Sequence, residues 1–480
     1  MLTLPSDHQP APEAHGLALA PFRAVRYDPD RVSGIANVTS PPYDVIGPAT
    51  VERLLESEPH NVVRLILPGA GTGQSPRDPG VTELAAHELH DWLASGVLVR
   101  DPRPALYAYE QSLLADGADT PGLDSTPGLD SAAGRDETPG WEVVQRGLVG
   151  ALRLVPPDSP SVLPHEDVMP GPVRGRRELM ETTQANLEPI FLLYDSGADD
   201  GGPSTATRLV DEVAATREPL LCAVTDDGTR HRIWALTDPA EHELVAADLA
   251  ARSALIADGH HRYAAYLQMQ ERARAAGRDG GGTPQDCGST PQDFGLAFLV
   301  DSVAYPPRIG AIHRVLPALT PARAAEMAKG AVRVRPVREN LDDAVRLLAD
   351  AGRVGPAFLL TDGTDQYLLT DPDPGRLAEV MPADHSARWR GLAASVLREL
   401  LVKSAWGLPD AEPDVVVVHG EAAEAADAAR RAGGTAVICT PVSAADVRAV
   451  AEHGERMPRK STSFGPKPRT GLVMRTFTSS

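Results

Sequence analysis

The stretch SALIADGHHRYAAYLQ, from Ser253 to Gln268, does most to define how this chain folds. Its ALIA run has the length and apolar character of a buried strand, and the residues that follow are helix-like. Asp258 is a good helix N-cap, because its carboxylate can accept the free N–H groups of a first turn. Gly259 allows a ligand to approach the backbone closely. The stretch therefore predicts a strand that passes into a helix at Asp258.

Two histidines and an arginine occupy the first turn of this predicted helix: His260, His261 and Arg262. Positive charge there opposes the helix dipole, which favours anions at the N-terminal end. The pattern is explained if an external anion binds, because backbone N–H groups and a forked guanidinium together make a phosphate site. The alternative is that Asp258 only caps the helix and that the histidines pack or face solvent. A zinc site is disfavoured, since adjacent helical side chains point about 100° apart.

The composition indicates a water-soluble globular protein with more than one lobe. The chain has 480 residues, of which 42% are hydrophobic and 23% are charged, and a chain of this length exceeds one ordinary core. Its formal net charge of -20 argues against non-specific binding to duplex DNA, whose phosphates require a basic face. No run approaches the roughly 20 apolar residues of a membrane span, and no secretory signal is recognisable at the N-terminus.

The cysteines are consistent with a reducing compartment. Cys222, Cys287 and Cys439 are far apart in sequence and have neither metal-ligand spacing nor the arrangement of a disulfide framework. We therefore expect a cytoplasmic protein with buried or incidental thiols.

The pattern of helices and strands predicts a mixed α/β (α+β) fold. We expect a disordered leader at 1–17, an N-terminal lobe at 18–318 and a C-terminal α/β lobe at 319–480. Residues 112–140 and 277–293 repeat TPGLDS and TPQD, respectively, and we interpret both as disordered insertions that cannot repay the entropy of ordering. The first insertion lies between two strand-like runs and is expected to extend a hairpin tip.

Several shorter elements follow from local patterns. NVVRLILP, from Asn61 to Pro68, has the length and β-branched content of a strand. A basic helix start is expected near Arg174–Arg177, a hairpin turn at Asp226–Gly228, a helix at 386–402 and a closing strand at Gly471–Arg475.

Two carboxylates are candidates for catalysis. PPYDVI places Asp44 after a stiff Pro-Pro-Tyr turn, and a rigid loop suits a general base. The alternative, a turn-forming aspartate, is equally compatible with the residues. Glu166 in LPHED is the second candidate base and a candidate Mg²⁺ ligand, because Mg²⁺ is typically held by one or two carboxylates and phosphates. Its alternative is a solvated polar loop. The nearby RGRRE is more typical of a basic helix face than of a phosphate contact.

The C-terminal loop at 454–475 is rich in lysine and arginine in an otherwise acidic protein. Lys460-Ser461-Thr462 lacks the P-loop glycine, because Arg459 stands in its place. A basic loop of this kind can close over phosphates, with Lys460 as a point-charge donor. The alternative is a basic surface segment of little energetic consequence.

ADGHHRY resembles the signature of the superfamily that joins the ParB nucleotide-switch domain of chromosome partitioning, sulfiredoxin and the archaeal free serine kinase. The serine kinase has the same Asp-Gly-His-His-Arg string, and the resemblance implies a turn that holds nucleotide phosphates. The whole chain is similar to the bacterial domain-of-unknown-function family 1015. The matching motifs are PPYDVI, NVVRLILP, LPHE, ANLEPIFLLY, ADGHHRY, IHRVL and GERMPRKSTSFGPKPRTGLVMR.

The resemblance implies a ParB/sulfiredoxin-like core and a serine-kinase-like activity. On this hypothesis the protein transfers a phosphoryl group from ATP or ADP, with Mg²⁺, to a small hydroxylated metabolite such as a free amino acid. Asp258 and Gly259 would shape the site, His260, His261, Arg262 and Lys460 would bind phosphates, and Asp44, Glu166 and His260 are the catalytic candidates. The alternative is a ParB-like nucleotide switch that acts on a protein or nucleic-acid partner. A scaffold without chemistry is the third alternative. A homo-oligomer is compatible with all three, and a membrane partner is not expected.

Overall fold

A computed structural model describes residues 16–72, 74, 78–114, 140–197, 202–279, 290–411 and 413–477. Within these ranges no helix has both the length and the apolar character needed to cross a membrane. Contacts divide the chain into two units. The first unit comprises 1–163, 168–306 and 466–480, and the second comprises 164–167 and 307–465.

The strands, which are mostly short, are β1 (Leu19–Ala20), β2 (Val25–Tyr27), β3 (Leu98–Arg100), β4 (Leu106–Leu114), β5 (Trp141–Arg153), β6 (Val162–Leu163), β7 (Ala185–Asn186), β8 (Ile190–Tyr194), β9 (Leu221–Val224), β10 (Thr229–Leu236), β11 (Ala254–Asp258), β12 (Phe294–Asp301), β13 (Arg308–Ile309), β14 (Ile312–Leu316), β15 (Arg333–Val337), β16 (Phe358–Thr361), β17 (Gln366–Thr370), β18 (Val416–His419), β19 (Thr435–Cys439), β20 (Phe464–Gly465) and β21 (Arg475–Thr476).

The α-helices are α1 (Ile35–Val38), α2 (Pro48–Ser57), α3 (Val63–Ile66), α4 (Val81–Ala94), α5 (Pro170–Thr183), α6 (Thr205–Thr216), α7 (Pro239–Leu249), α8 (His260–Asp279), α9 (Pro321–Ala328), α10 (Leu341–Gly352), α11 (Pro374–Val380), α12 (Ala387–Gly391), α13 (Ala393–Ser395), α14 (Ala422–Ala432) and α15 (Ala444–Glu452). Short 3₁₀ turns lie at Pro29–Arg31 and Pro291–Asp293, and a π-helix spans Val396–Ala405.

A nine-stranded mixed sheet organises the first unit, in the order β6-β11-β8-β12-β5-β4-β10-β9, with β1 added along β5. Strands β8 and β12 run parallel, as do β6 and β11, and the remaining pairs are antiparallel. Every residue of β8 and β11 is buried, which agrees with their nearly continuous apolar sequences. The core packs α5, α6, α7 and α8 against this sheet. The predicted mixed α/β fold is therefore confirmed.

The second unit is built on a six-stranded antiparallel sheet in the order β15-β17-β16-β19-β14-β18. One apolar cluster joins the sheet to α9 and the π-helix, and another joins it to α10 and α14. Alternating strand residues supply the two clusters, since neighbouring side chains of a strand point to opposite faces. Helices thus cover both faces of this sheet.

Several local predictions are confirmed and others are wrong. The hairpin turn at Asp226–Gly228 joins β9 to β10, and the basic segment Arg174–Arg177 lies in α5. The predicted strand at Asn61–Pro68 is wrong, because Val63–Ile66 forms α3. Only Arg475 of the predicted closing strand Gly471–Arg475 belongs to a strand.

Most of the two predicted insertions and of the predicted leader lies outside the described residues. Residues 115–139 and 280–289 lie outside the described residues, and so do 1–15. Strands β4 and β5, on either side of the first insertion, pair as the predicted hairpin. The expected leader ends too late, because Leu17 is buried and its N–H donates to the Leu249 carbonyl at 3.0 Å.

Candidate functional site

The turn between β11 and α8 requires a glycine for its own geometry. Gly259 has φ +94°, in the left-handed region that a side chain disfavours. A Cβ at this position would lie 2.9 Å from Ile190 Cγ2 and 3.2 Å from Arg262 Nε. The ladder between β11 and β8 is also irregular between Ile256 and Asp258, and such bulges end pairing and redirect a side chain. The glycine therefore lets the chain turn sharply against β8.

Arg262 forms a buried ion pair with Asp258. Its Nη2 donates to Asp258 Oδ2 at 2.5 Å, and its Nη1 donates to the Pro189 carbonyl at 2.5 Å. Burial by itself lowers the pKa of Arg262, but the charges of Glu188 and Asp258 outweigh it and raise the pKa. The guanidinium is thus permanently charged and is held by the protein's own atoms. The Asp258 carboxylate, for which the sequence predicts a helix-capping role, is the partner of this guanidinium.

A lysine that sequence reasoning missed is the second partner of Asp258. The Lys467 ammonium contacts Asp258 Oδ1 and lies 3.5 Å from Asp44 Oδ2. Burial lowers the pKa of Lys467, but Asp258 and Asp44 raise it by more. The structure therefore brings Asp44 and the Asp258–Arg262 turn together through Lys467.

Two buried glutamines fix the backbone that carries Lys467. Gln111 donates to the Lys467 carbonyl at 3.1 Å, and Gln145 donates to the Pro466 carbonyl at 3.0 Å. The Gln145 amide also donates to the Gln111 side-chain oxygen at 2.8 Å. These hydrogen bonds restrict the region where the ammonium can lie.

Glu188 is a buried acid behind the turn. Its Oε1 accepts the Tyr43 N–H at 3.1 Å, and Oε2 lies 3.8 Å from Arg176 Nη1. Burial raises the pKa of Glu188, although Arg262 and Arg176 partly offset the increase. The Arg176 guanidinium stacks 4.2 Å from the centre of the Tyr43 ring, whose hydroxyl pKa burial raises to about 12. Arg176, interpreted from sequence as part of a basic helix face, thus belongs to this cluster.

The two histidines of the motif lie in the first turn of α8. His260 is buried, whereas His261 is partly exposed. His261 Nε2 accepts the Met169 N–H at 3.1 Å, and a ring nitrogen that accepts carries no proton. Neutral His261 therefore has its proton on Nδ1. Asp44, on the turn before α2, keeps 36% of its side chain exposed.

Two further sequence candidates, Glu166 and Lys460, belong to the second unit. Glu166 Oε1 accepts the Thr462 hydroxyl at 2.9 Å, and His165 Nε2 lies 2.9 Å from the same hydroxyl. His165 is fully buried, so the LPHED segment is more ordered than a solvated loop. In the part of the chain that the structure describes, no three His, Cys, Asp or Glu side chains are grouped as metal ligands.

Sequence reasoning proposed the turn and Asp44 as site residues and did not propose Lys467, Glu188 or Tyr43. The signal for Lys467 was weak: the residue lies between Pro466 and Pro468, and prolines on both sides stiffen the segment that presents it. Nothing local distinguishes Glu188 from a surface acid.

The cluster in the first unit is balanced in charge. It contains the acids Asp44, Glu188 and Asp258 and the bases Arg176, Arg262 and Lys467. The buried members neutralise one another, while Asp44 remains in contact with solvent. The arrangement fixes a carboxylate and an ammonium beside the N-terminus of a long helix. It can thus hold a substrate hydroxyl and an anionic group near each other.

Comparison with known proteins places the chain in a family. The chain belongs to the family described as "Protein of unknown function (DUF1015)", whose model matches residues 19–123 and 124–392. The predicted family membership is therefore confirmed. No curated protein matches this sequence.

Three solved structures show a distant likeness. SbnI with a C-terminal truncation, from Staphylococcus aureus, is 12% identical, covers 68% of this chain and 85% of its own, and has a TM-score of 0.31. Free serine kinase in complex with AMP is 12% identical, and the match covers 66% of this chain and 88% of the kinase chain with a TM-score of 0.33. A conserved hypothetical protein from Pyrococcus furiosus is 13% identical, and the match covers 66% of this chain and 92% of that protein with a TM-score of 0.32. Similarity at this level assigns no function to this chain.

Proposed function

We propose that the first unit transfers a phosphoryl group from a nucleotide, supplied as its Mg²⁺ complex, to a small hydroxylated metabolite such as a free amino acid. One observation carries the proposal: the Lys467 ammonium contacts the Asp258 carboxylate and lies 3.5 Å from Oδ2 of the exposed Asp44. It sets a cation and a solvent-accessible base next to a helix N-terminus, where anions are stabilised. Phosphoryl transfer depends mainly on such positioning and charge stabilisation.

Each residue has a specific role in this proposal. The phosphates bind at the first turn of α8, to its backbone N–H groups, to His260 and His261 and to the Lys467 ammonium. Asp258 and Arg262 position that turn and the ammonium, because their ion pair is buried. Gly259 gives the turn its shape. The roles expected for Glu166 and Lys460, which belong to the second unit, stay predictions.

In the step itself, Asp44 accepts the proton of the substrate hydroxyl. The hydroxyl oxygen forms a bond to the terminal phosphorus of the nucleotide as the bond from that phosphorus to the bridging oxygen breaks. The products are the phosphorylated metabolite and the nucleotide shortened by one phosphate. Mg²⁺ arrives with the nucleotide and neutralises charge on its phosphates.

The direct test is to incubate the purified protein with ATP or ADP, Mg²⁺ and a mixture of hydroxylated amino acids, and to identify phosphorylated products by mass spectrometry. Asp44→Asn removes the base at an exposed position, and we expect the rate to fall about 10²–10⁴-fold. The matched control is Asp226→Asn, an exposed carboxylate in the β9–β10 turn, which should retain the wild-type rate. Absence of product with every nucleotide, or equal rates for both variants, would reject the proposal.

A further inference from the structure

A small cavity lies in the second unit and is lined by residues of that unit alone. It measures about 30 Å³ and opens to solvent. Its walls are formed by β14 and β19, the π-helix and the loop at 458–461. All of these segments belong to the second unit, so the cavity is a feature of that unit alone.

The side chains around this cavity are strongly cationic. Among the described residues that line it, Arg314, Arg398, Arg459 and Lys460 are basic and Asp410 is acidic. This excess stands out in a chain whose formal net charge is -20. Like charges gathered around one space repel one another unless an anion compensates them. The lining thus favours an anionic occupant.

Arg314 holds the backbone of the loop that brings Lys460 to the cavity. Arg314 Nη2 donates to the Lys460 carbonyl at 2.9 Å and to the Arg459 carbonyl at 3.3 Å. Lys460 has φ +56°, a left-handed conformation that is uncommon for lysine and that persists only where the surroundings impose it. Strained residues of this kind are concentrated at ligand-binding positions.

The helix that forms another wall of the cavity is also unusual. Val396–Ala405 is a π-helix, and the Trp406 N–H closes its end by donating to the Leu401 carbonyl at 2.8 Å. Helices of this type are rare and are frequently found at functional sites. The wall presents Arg398, whose Nε lies 3.2 Å from Asp410 Oδ2 and 3.5 Å from Glu399 Oε1 and whose side chain is 31% exposed. An arginine held in this way keeps part of its guanidinium accessible.

We propose that this cavity binds the phosphate group of a small anion, with Arg398 and Lys460 as its main cationic contacts. A space of about 30 Å³ has room for about two water molecules at 10–15 Å³ each. It therefore encloses one end of an anion and leaves a larger group, such as a nucleoside, in solvent. Burial raises the pKa of the Cys439 thiol, which also lines the cavity, to about 11.

The test uses the full-length protein and two probes, inorganic phosphate and AMP, titrated by isothermal calorimetry at constant ionic strength. Lys460→Asn removes the ammonium but keeps a residue that tolerates the left-handed conformation, and Arg398→Gln removes the guanidinium. We expect each variant to weaken phosphate binding at least tenfold. The matched control is Arg388→Gln, an exposed arginine of α12 that does not line the cavity. It should bind phosphate as tightly as wild type.

The outcomes separate this inference from the proposed function. Phosphate or AMP binding that is at least tenfold weaker in Lys460→Asn and Arg398→Gln and is unchanged in Arg388→Gln supports the cavity, and the tighter probe shows whether free phosphate or a phosphate monoester is preferred. No saturable binding of either probe overturns the inference. So does binding that both cavity variants leave unchanged. The kinase assay is read separately, so its failure leaves the result for the cavity intact.

Discussion

The Lys467 ammonium contacts the Asp258 carboxylate and so ties the C-terminal segment to the β11–α8 turn. Asp258 therefore forms ion pairs with two cations, because its other oxygen accepts a hydrogen bond from Arg262. A carboxylate buried between two permanent charges cannot be altered without leaving one of them unpaired. The geometry of the candidate site therefore depends on a contact between segments that are far apart in sequence.

Removal of Lys467 should destabilise the fold moderately. In Lys467→Met, Asp258 keeps only Arg262, and we expect the free energy of unfolding to fall by about 1–3 kcal/mol. Urea denaturation monitored by circular dichroism measures the change. The comparison variant is Lys329→Met, an exposed lysine directly after α9 with a surface ion pair, for which a change within about 0.5 kcal/mol is expected. Equal stabilities for the two variants would mean that the Lys467 contact is not formed in solution.

The ion pair between Arg262 and Asp258 should show strong energetic coupling. Arg262→Met leaves Asp258 and Glu188 buried with less compensation, and we expect a loss of about 3–5 kcal/mol. A double-mutant cycle with Asp258→Asn isolates the pairwise energy, which should be about 0.5–3 kcal/mol in favour of the pair. If the single effects are additive, the two side chains act independently and the observed hydrogen bond contributes nothing specific.

The local part of the site was predictable from sequence, because the strand, the glycine and the helix start are encoded by neighbouring residues. The parts that sequence reasoning missed depend on tertiary contacts. Lys467 is held by Gln111 and Gln145 from β4 and β5, and no local pattern records that pairing. Glu188 becomes a site residue only because the fold buries it beside Arg176.

The wrong strand at Asn61–Pro68 has a similar cause. Short apolar runs do not distinguish a buried helical turn from a strand. Asn61 decides the outcome, because its side-chain oxygen accepts the Val63 N–H at 2.9 Å and its amide donates to the Asn37 carbonyl at 2.7 Å. The β-branched content of the run is therefore overridden by one polar side chain and by burial.

The glycine of the motif should be required for the fold itself. Gly259→Ala places a methyl group at a positive φ and 2.9 Å from Ile190, so we expect about 1–2 kcal/mol for the backbone and about 1–3 kcal/mol for overpacking. Gly228→Ala separates the two effects, because Gly228 has φ +76° and a methyl group there would meet no atom within 4 Å. Thermal or urea denaturation should show a clearly larger loss at Gly259. Equal losses would mean that Ile190 moves aside and that only the backbone conformation matters.

Acid should destabilise the first unit through a buried histidine. His231 Nδ1 lies 2.8 Å from the Tyr109 hydroxyl, and Nε2 lies 3.2 Å from Thr225 Oγ1. Burial, helped by the charge of Arg469, lowers the pKa of His231 from 6.5 to about 3. Because the folded-state pKa is below the unfolded value, the unfolded chain binds one more proton between these two values. The contribution of neutral His231 is thus complete above pH 6.5 and is lost as the pH falls toward 3.

The pH dependence of unfolding measures this effect. Between pH 6.5 and 3, His231 adds about 1.4 kcal/mol per pH unit to the slope of stability against pH. His231→Gln should lower the slope in this window by that amount, besides its loss of stability at neutral pH. The matched control is His90→Gln, which replaces an exposed imidazole of α4. Urea titrations at steps of half a pH unit measure the slope of the free energy of unfolding against pH. An unchanged slope in His231→Gln would show that this imidazole is already charged, or accessible to solvent, in the native protein.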